Sequence, residues 1–219
     1  MKQMIGKDRH HRKSIRLPGC DYSRPGAYFV TLCTQDRTHL FGRILDGVMQ
    51  LNEWGETALR CWQAIPHHFS NTALDEFVIM PNHVHGILWI VNDVGARHAV
   101  PLREQFGIPA PGSIPTVIRS YKSAVTRGIN EMRGTAGAGV WQRNYWEHII
   151  RADVRARHAV PLESIRNYII NNPLQWHLDR ENPHRTGHDD LWDQLFGNIA
   201  GKDDAHPKTT NMNRKATHD

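Results

Sequence analysis

The segment from Glu76 to Val91, EFVIMPNHVHGILWIV, restricts the possible folds more than any other part of the chain. Its apolar run breaks at Pro81-Asn82 and then resumes with His83 and His85 set into an otherwise apolar stretch. Two such runs read as adjacent strands, 75–80 and 83–91, of a buried sheet. Residues two apart on a strand share a face, so His83 and His85 project together while Val84 points the other way. Paired imidazoles in an apolar setting are costly unless their nitrogens find partners. A single histidine in such a place is ordinarily a core residue bonded to backbone or water. An H-x-H pair points instead to a divalent-metal site, because neutral imidazole is a common ligand.

The rest of the pattern supplies elements to surround that pair. Residues 27–34, AYFVTLCT, are rich in β-formers and read as a strand. HLFGRILDGVMQLN has the form of a short hairpin turning at Asp46-Gly47. Asn52 is placed to cap a helix running to about residue 69, with Trp54, Ala58, Leu59, Trp62 and Ile65 at helical spacing. Residues 94–114, dotted with Pro and Gly, form an inserted loop, and Pro115 opens a helix to about residue 132. VWQRNYWEHIIR reads as a strand or extended segment, and 162–178 as helical. The order strand, helix, strand, strand, helix, strand, helix predicts an α+β domain over 17–180. Its form is a split βαβ antiparallel sheet with helices on one face, the histidine strand central, and a further C-terminal helix.

Composition narrows the class. With 219 residues, 39% hydrophobic and 22% charged, the chain suits one globular domain with appendages. No apolar run approaches the roughly eighteen residues of a membrane span, and the N-terminus lacks a signal-peptide core, so a cytoplasmic protein is expected. Cys20, Cys33 and Cys61 form no C-x-x-C pair, which argues against a zinc knuckle or a disulfide framework. A net charge of +5 and a pI near 9.3 permit a nucleic-acid partner without requiring one. Residues 1–16 are a basic arm, with Lys2, Lys7, Arg9, Arg12, Lys13 and Arg16 against Asp8. Residues 181–219 are an extension whose low apolar content predicts disorder after about 198.

ARHAVPL occurs unchanged at 96–102 and 156–162. A structural repeat would carry a core pattern through a longer unit. The expectation is therefore two insertions of one short DNA element in the gene, tolerated in surface loops, with no function for His98 or His158.

The histidine pair does not fit several familiar metal sites. Gly86, Ile87 and Leu88 follow it, so the H-x-H-x-D-H pattern of metallo-β-lactamase-like hydrolases is missing. The chain is short for a (β/α)8 barrel. A structural zinc wants four nitrogen or sulfur ligands, and the cysteines are badly placed for that. What remains is a two-histidine site completed by an oxygen ligand and open to substrate, suited to polarising a phosphate. On the helix LESIRNYIINNPLQW, Tyr168 and Asn172 share a face at i and i+4. Tyr168 is a candidate nucleophile and the Asn172 oxygen a candidate ligand, although Pro173 disfavours helical geometry at Asn172. Packing beside Ile165 and Ile169 is the alternative role for Tyr168, with water then the attacking group.

MPNHVHGI followed by YIINNP resembles the single-tyrosine HUH transposases, and more closely the REP-associated tyrosine transposases, with their similar PNHVH and Y-x-x-x-N-P motifs. YFVTLCTQDRTHLFG and VWQRNYWEHIIR fit as well, and the resemblance spans residues 16–178. It implies a ferredoxin-like, RRM-like core and cleavage of single-stranded DNA that depends on Mg2+ or Mn2+. His83, His85 and Asn172 would be metal ligands, and Tyr168 would form a 5′-phosphotyrosine. The implied substrates are imperfect palindromes that fold into hairpins, met by a monomer or homodimer near the nucleoid. Arg16, Arg119, Lys122, Arg127 and Arg143 are candidate phosphate contacts, and Tyr121, Tyr145 and Trp146 candidate base-stacking residues. A hairpin-DNA-binding protein without catalysis and a metal-dependent hydrolase using water are the competing readings.

Overall fold

The computed structural model describes residues 22–91, 110–150 and 160–197. In chain order these form β1 (Gly26–Cys33), β2 (Gly42–Leu45), β3 (Val48–Leu51), α1 (Glu53–Gln63), α2 (Ile65–His68), β4 (Thr72–Ile79) and β5 (His83–Ile90). There follow α3 (Ile114–Arg133), β6 (Trp146–Ile150), α4 (Leu162–Asn171) and α5 (Asp190–Trp192), which runs on as a π-turn to Gly197. The main sheet has the order β4-β5-β1-β6 with antiparallel neighbours throughout. With β2 and β3 set apart as a hairpin, that is the ferredoxin-like βαββαβ arrangement expected from the sequence. The histidine strand, β5, lies inside the sheet between β4 and β1.

Local chemistry accounts for the element ends. Asp46 and Gly47 both take positive φ in the two-residue turn between β2 and β3, the geometry that favours an Asp-Gly pair. The Asn52 side chain accepts from the amides of Trp54 and Gly55 and caps α1. The helix expected to reach residue 69 stops at Gln63, because Pro66 lacks an amide and crowds the carbonyl one turn back; α2 restarts after Ala64. The helix expected over 162–178 likewise ends at Asn171, two residues before Pro173, and turns replace it up to Leu178. Asn172 nevertheless keeps a right-handed helical conformation. Gly134 closes α3 in the left-handed region.

The two faces of the sheet bury different cores. On one, Val30, Leu32, Val84 and Leu88 meet Trp62 of α1 and Val117, Tyr121 and Val125 of α3. On the other, Phe29 and Ile87 meet Ile165, Tyr168 and Ile169 of α4 with Trp192 and Phe196. Asp75 sits where the β4–β5 register shifts between Leu74 and Phe77. It receives a two-pronged ion pair from Arg166 of α4, at 2.8 and 2.7 Å, and the Trp89 indole proton at 2.8 Å. That contact sets α4 across the sheet.

The chain beyond Leu178, where the resemblance stops, belongs to this second layer up to Gly197. The first copy of ARHAVPL and residues 156–159 of the second lie outside the described residues. The second copy ends in packed residues, with Val160 buried and Leu162 against the α4 core, so that end is no simple surface loop. Among the described residues no helix is long and apolar enough to cross a membrane.

Candidate active site

Strand register puts both histidines on the α4 face. Thr31 pairs with His85 and Cys33 with His83 across β1 and β5. Both imidazoles are fully buried, with ring centroids 4.3 Å apart. The Asn82 amide nitrogen donates to the Arg37 and Glu181 carbonyls, at 3.2 and 2.7 Å, so its oxygen faces His83 Nδ1 at 2.9 Å. His83 Nδ1 therefore carries the proton, and its Nε2 presents a lone pair. His85 Nδ1 lies 2.9 Å from the Thr31 hydroxyl, and its ring stacks on Phe29 at 5.3 Å. Burial pushes the His83 imidazole down to about 4, against the pull of Asp179, so His83 is held as a neutral ligand.

Both Nε2 atoms converge on Asp179, whose Oδ2 lies 3.8 Å from His83 and 3.9 Å from His85. Ligand atoms of all three groups fall within 4.8 Å of one another, a spread that can hold a metal ion. The Asn172 amide nitrogen donates to the same Asp179 oxygen at 2.8 Å, which leaves the Asn172 oxygen without a partner. His83 Nε2 and His85 Nε2 also lack partners. An unsatisfied buried polar atom costs about 1–3 kcal/mol, a cost that a cation shared by these three acceptors could offset. Two imidazole nitrogens and two oxygens fit a divalent ion.

Sequence reasoning missed Asp179. It lies one residue past the resemblance, in the turn LDREN, and nothing local singles it out. Its position is set by long-range contacts. The amide of Glu181 donates to Asp179 Oδ1 at 2.7 Å, and Arg37 and the Cys33 thiol donate to Glu181 Oε2 at 3.0 and 3.3 Å. Burial alone would raise the Asp179 carboxyl, but the facing imidazoles and the Asn172 amide hold it below the ordinary carboxylate range.

Tyr168 faces His85 across 5.5 Å between ring centroids and donates its hydroxyl to Asp189 Oδ2 at 3.1 Å. Asp189 also caps α5 by accepting the Trp192 amide. Burial, reinforced by the Asp179 and Asp189 carboxylates, raises the Tyr168 phenol well above its usual value. Burial raises Asp189 too. Trp192, Phe196 and Phe29 wall the phenol, which is 2% exposed, and Trp146 packs against Trp192.

The basic residues named from sequence do not gather here. Arg119 and Arg127 lie exposed on α3, in the layer behind the sheet from the histidines. Lys122, also on α3, donates to the Gln142 and Asn144 carbonyls at 2.9 and 3.0 Å, and burial pulls it down to about 8. It ties α3 to the segment before β6, and this structural role replaces the phosphate contact expected of it. Tyr121 is likewise a core residue, its hydroxyl donating to the Ala58 carbonyl at 3.3 Å. Trp146 packs into the aromatic wall, Arg143 is exposed before β6, and Arg16 lies outside the described residues.

No family model matches the chain. An uncharacterised protein of Haemophilus influenzae is 39% identical over 175 residues, covering 78% of this chain and 93% of that protein. A second H. influenzae protein, described as a "Putative REP-associated tyrosine transposase", is 24% identical over 181 residues, 80% of this chain and 88% of its own length. Among solved structures, a REP-associated tyrosine transposase bound to a REP hairpin aligns with a TM-score of 0.45 and 17% identity, over 75% of this chain and 74% of that one.

Proposed function

We propose that the chain is a REP-associated tyrosine transposase, a reading supported by its similarity to an H. influenzae protein so described, and that it cleaves and rejoins single-stranded, hairpin-forming DNA through Tyr168. One observation carries the reading. A phenol stands beside a buried cluster of two imidazoles, a carboxylate and an amide, in which three polar atoms have no partner. A protein that only bound hairpins would gain nothing from that cost.

His83, His85, Asp179 and Asn172 would hold the divalent ion, which when bound would supply positive charge to offset the negative charge building on phosphate oxygens. The imidazole pair suits Mn2+ better than Mg2+, which favours oxygen shells. Thr31 and Asn82 orient the two rings. Tyr168 enters the reaction protonated, since its phenol is raised well above the ordinary range. Asp189, already accepting that hydroxyl at 3.1 Å, takes the proton. The phenolic oxygen then bonds to phosphorus as the bond to the 3′-oxygen breaks. One product carries a 5′-phosphotyrosine linkage, and the other leaves as a 3′-OH once the proton taken up by Asp189 has passed, directly or through water, to the departing 3′-oxygen. Attack by a second 3′-OH re-forms a phosphodiester and returns the phenol, so strands exchange without external energy. Because Trp192 and Phe196 cover the phenol, a phosphate reaches it only when that segment lifts.

The test is to incubate the full chain and Mn2+ with denatured genomic DNA from the host of this gene, then isolate and sequence any covalent protein–DNA adduct. Adducts mapping to Tyr168 at reproducible sites support the reading. Nicking that persists in Tyr168→Phe without an adduct makes water the nucleophile. Hairpin retention without nicking makes the protein a binder.

A further inference from the structure

The repeated heptapeptide has a property that packing does not require. Written in codons, Ala-Arg-His-Ala-Val-Pro can be encoded by a perfect inverted repeat, 5′-GGGCACGGCATGCCGTGCCC-3′, whose first two bases end the preceding codon. Symmetry about the histidine codon pairs the first bases of His98 and Ala99, of Arg97 and Val100, and of Ala96 and Pro101. His, Ala, Val and Pro leave no choice at those bases, and the arginine codons beginning with C complete the set. The symmetry continues outward in the first copy. Gly95 stands opposite Leu102, and Val94 opposite Arg103, which gives G against C at the first base with the leucine and arginine codons that begin with C. Asp93-Val94 and Asp153-Val154 stand at matching positions before the two copies, so the shared element is longer than the heptapeptide alone. In the second copy Arg155 replaces Gly95, and the arginine codons CGG and AGG can still supply the two G bases that begin the inverted repeat.

The protein asks for much less. At the second copy the described residues are Val160, Pro161 and Leu162. Val160 is buried, Leu162 packs on the same cluster, and Pro161 precedes the first turn of α4. Those positions need an apolar residue, a helix-starting residue and another apolar residue. They do not need the identical peptide sixty residues earlier, nor bases that mirror one another across a histidine codon. Selection on a peptide preserves side chains and lets synonymous bases drift. An unchanged peptide with this symmetry is what a conserved DNA hairpin leaves when it is read as protein.

We propose that the two ARHAVPL segments are translated copies of the DNA hairpin on which this protein acts, with stem strands GGGCACGG and CCGTGCCC closed by the loop CATG. The inference rests on the hairpin-cleaving reading above and specifies its substrate. A gene that encodes the enzyme would then carry two copies of the enzyme's own recognition element in its reading frame. The stem presents a G·C-rich duplex whose phosphates give affinity and whose base edges and unpaired loop give identity.

The gene itself provides the first check. The codons at 96–101 and 156–161 should preserve every stem pair, and synonymous bases that break the stem in both copies overturn the proposal. The second check uses the full chain with Mn2+ and labelled oligonucleotides carrying this hairpin with its native flanks. Tighter binding than to a scrambled stem of equal composition, on the order of tenfold or more, is expected, with adduct formation in the flank. Altering one arm should abolish the preference. An unrelated stem with both arms changed to restore pairing should not regain it, and equal binding to that stem overturns the assignment. Adducts on genomic DNA with none on this hairpin defeat the substrate assignment and leave the cleavage reading intact. Absence of adducts on both defeats the cleavage reading itself.

Discussion

The two faces of one sheet do opposite work with residues from the same strands. On the face toward α1 and α3, β5 contributes Val84, Gly86, Leu88 and Ile90, all buried. Gly86 is needed because a Cβ there would collide with the Trp62 indole. On the face toward α4 the alternate residues are His83, His85 and Ile87, and the packing is aromatic and polar, with atoms left unsatisfied. Burial is equally complete on both. The difference is that the α1/α3 face spends burial on hydrophobic stability, whereas the α4 face uses it to keep the His83 imidazole neutral and to raise the Tyr168 phenol. Burial alone therefore does not distinguish a core from a site. What does is that unpaired acceptor atoms of His83, His85 and Asn172 gather around one carboxylate. The Trp62 indole nitrogen left unpaired on the other face is a donor that cannot ligate a metal.

Substitutions on the two faces should separate accordingly. The largest effect is expected at Tyr168. Tyr168→Phe keeps the ring among Phe29, Trp192 and Phe196, so hairpin retention by gel shift should match wild type while covalent adduct falls to background. Loss of folding, read by circular dichroism, would mean that the Asp189 bond serves stability instead. Next is His85→Ala. Mn2+ at a hundredfold excess over its Kd should stabilise the wild type by about 2.7 kcal/mol through linkage, and the variant should lose that rise in Tm. A Tm rise retained by the variant would move the metal elsewhere.

On the opposite face, Gly86→Ala should cost about 1–3 kcal/mol through overpacking against Trp62, measured by denaturant unfolding, with Mn2+ binding unchanged in the folded fraction. A variant as stable as wild type would show that Trp62 shifts freely. The smallest effect concerns the tether between the faces. The Arg166 hydrogen bonds, with help from the Trp89 indole, depress the Asp75 carboxyl from 3.8 to about 2. A carboxyl lowered on folding contributes fully above its unfolded value and loses that contribution as pH falls through its folded one. Stability should thus decline between about pH 4 and pH 2, less steeply in Arg166→Gln, and equal slopes in urea titrations would remove the tether from the account.

How much of this was legible follows from the range of each interaction. The β5 strand, its shared histidine face, the Asn52 cap and the Asp46-Gly47 turn were readable because each depends on neighbours a few residues apart. Tyr168 and Asn172 were readable as a pair for the same reason. Lys122 misled because a helical stripe of Arg and Lys looks alike whether it faces DNA, solvent or, as here, the carbonyls of Gln142 and Asn144.

The sequence by itself determined the order of elements and the residues that share a face, since strand and helix periodicities are local steric facts. Only the tertiary structure decided that Asp179 meets His83 and His85 and that Asp189 receives the Tyr168 hydroxyl. It also decided that 181–197 closes over the site. Asp179 is held by the Glu181 amide, and Glu181 in turn by Arg37 and Cys33, whose positions are 144 and 148 residues away along the chain. No periodicity reports such a contact, because it exists only after the sheet has formed and brought both ends of the domain to one edge.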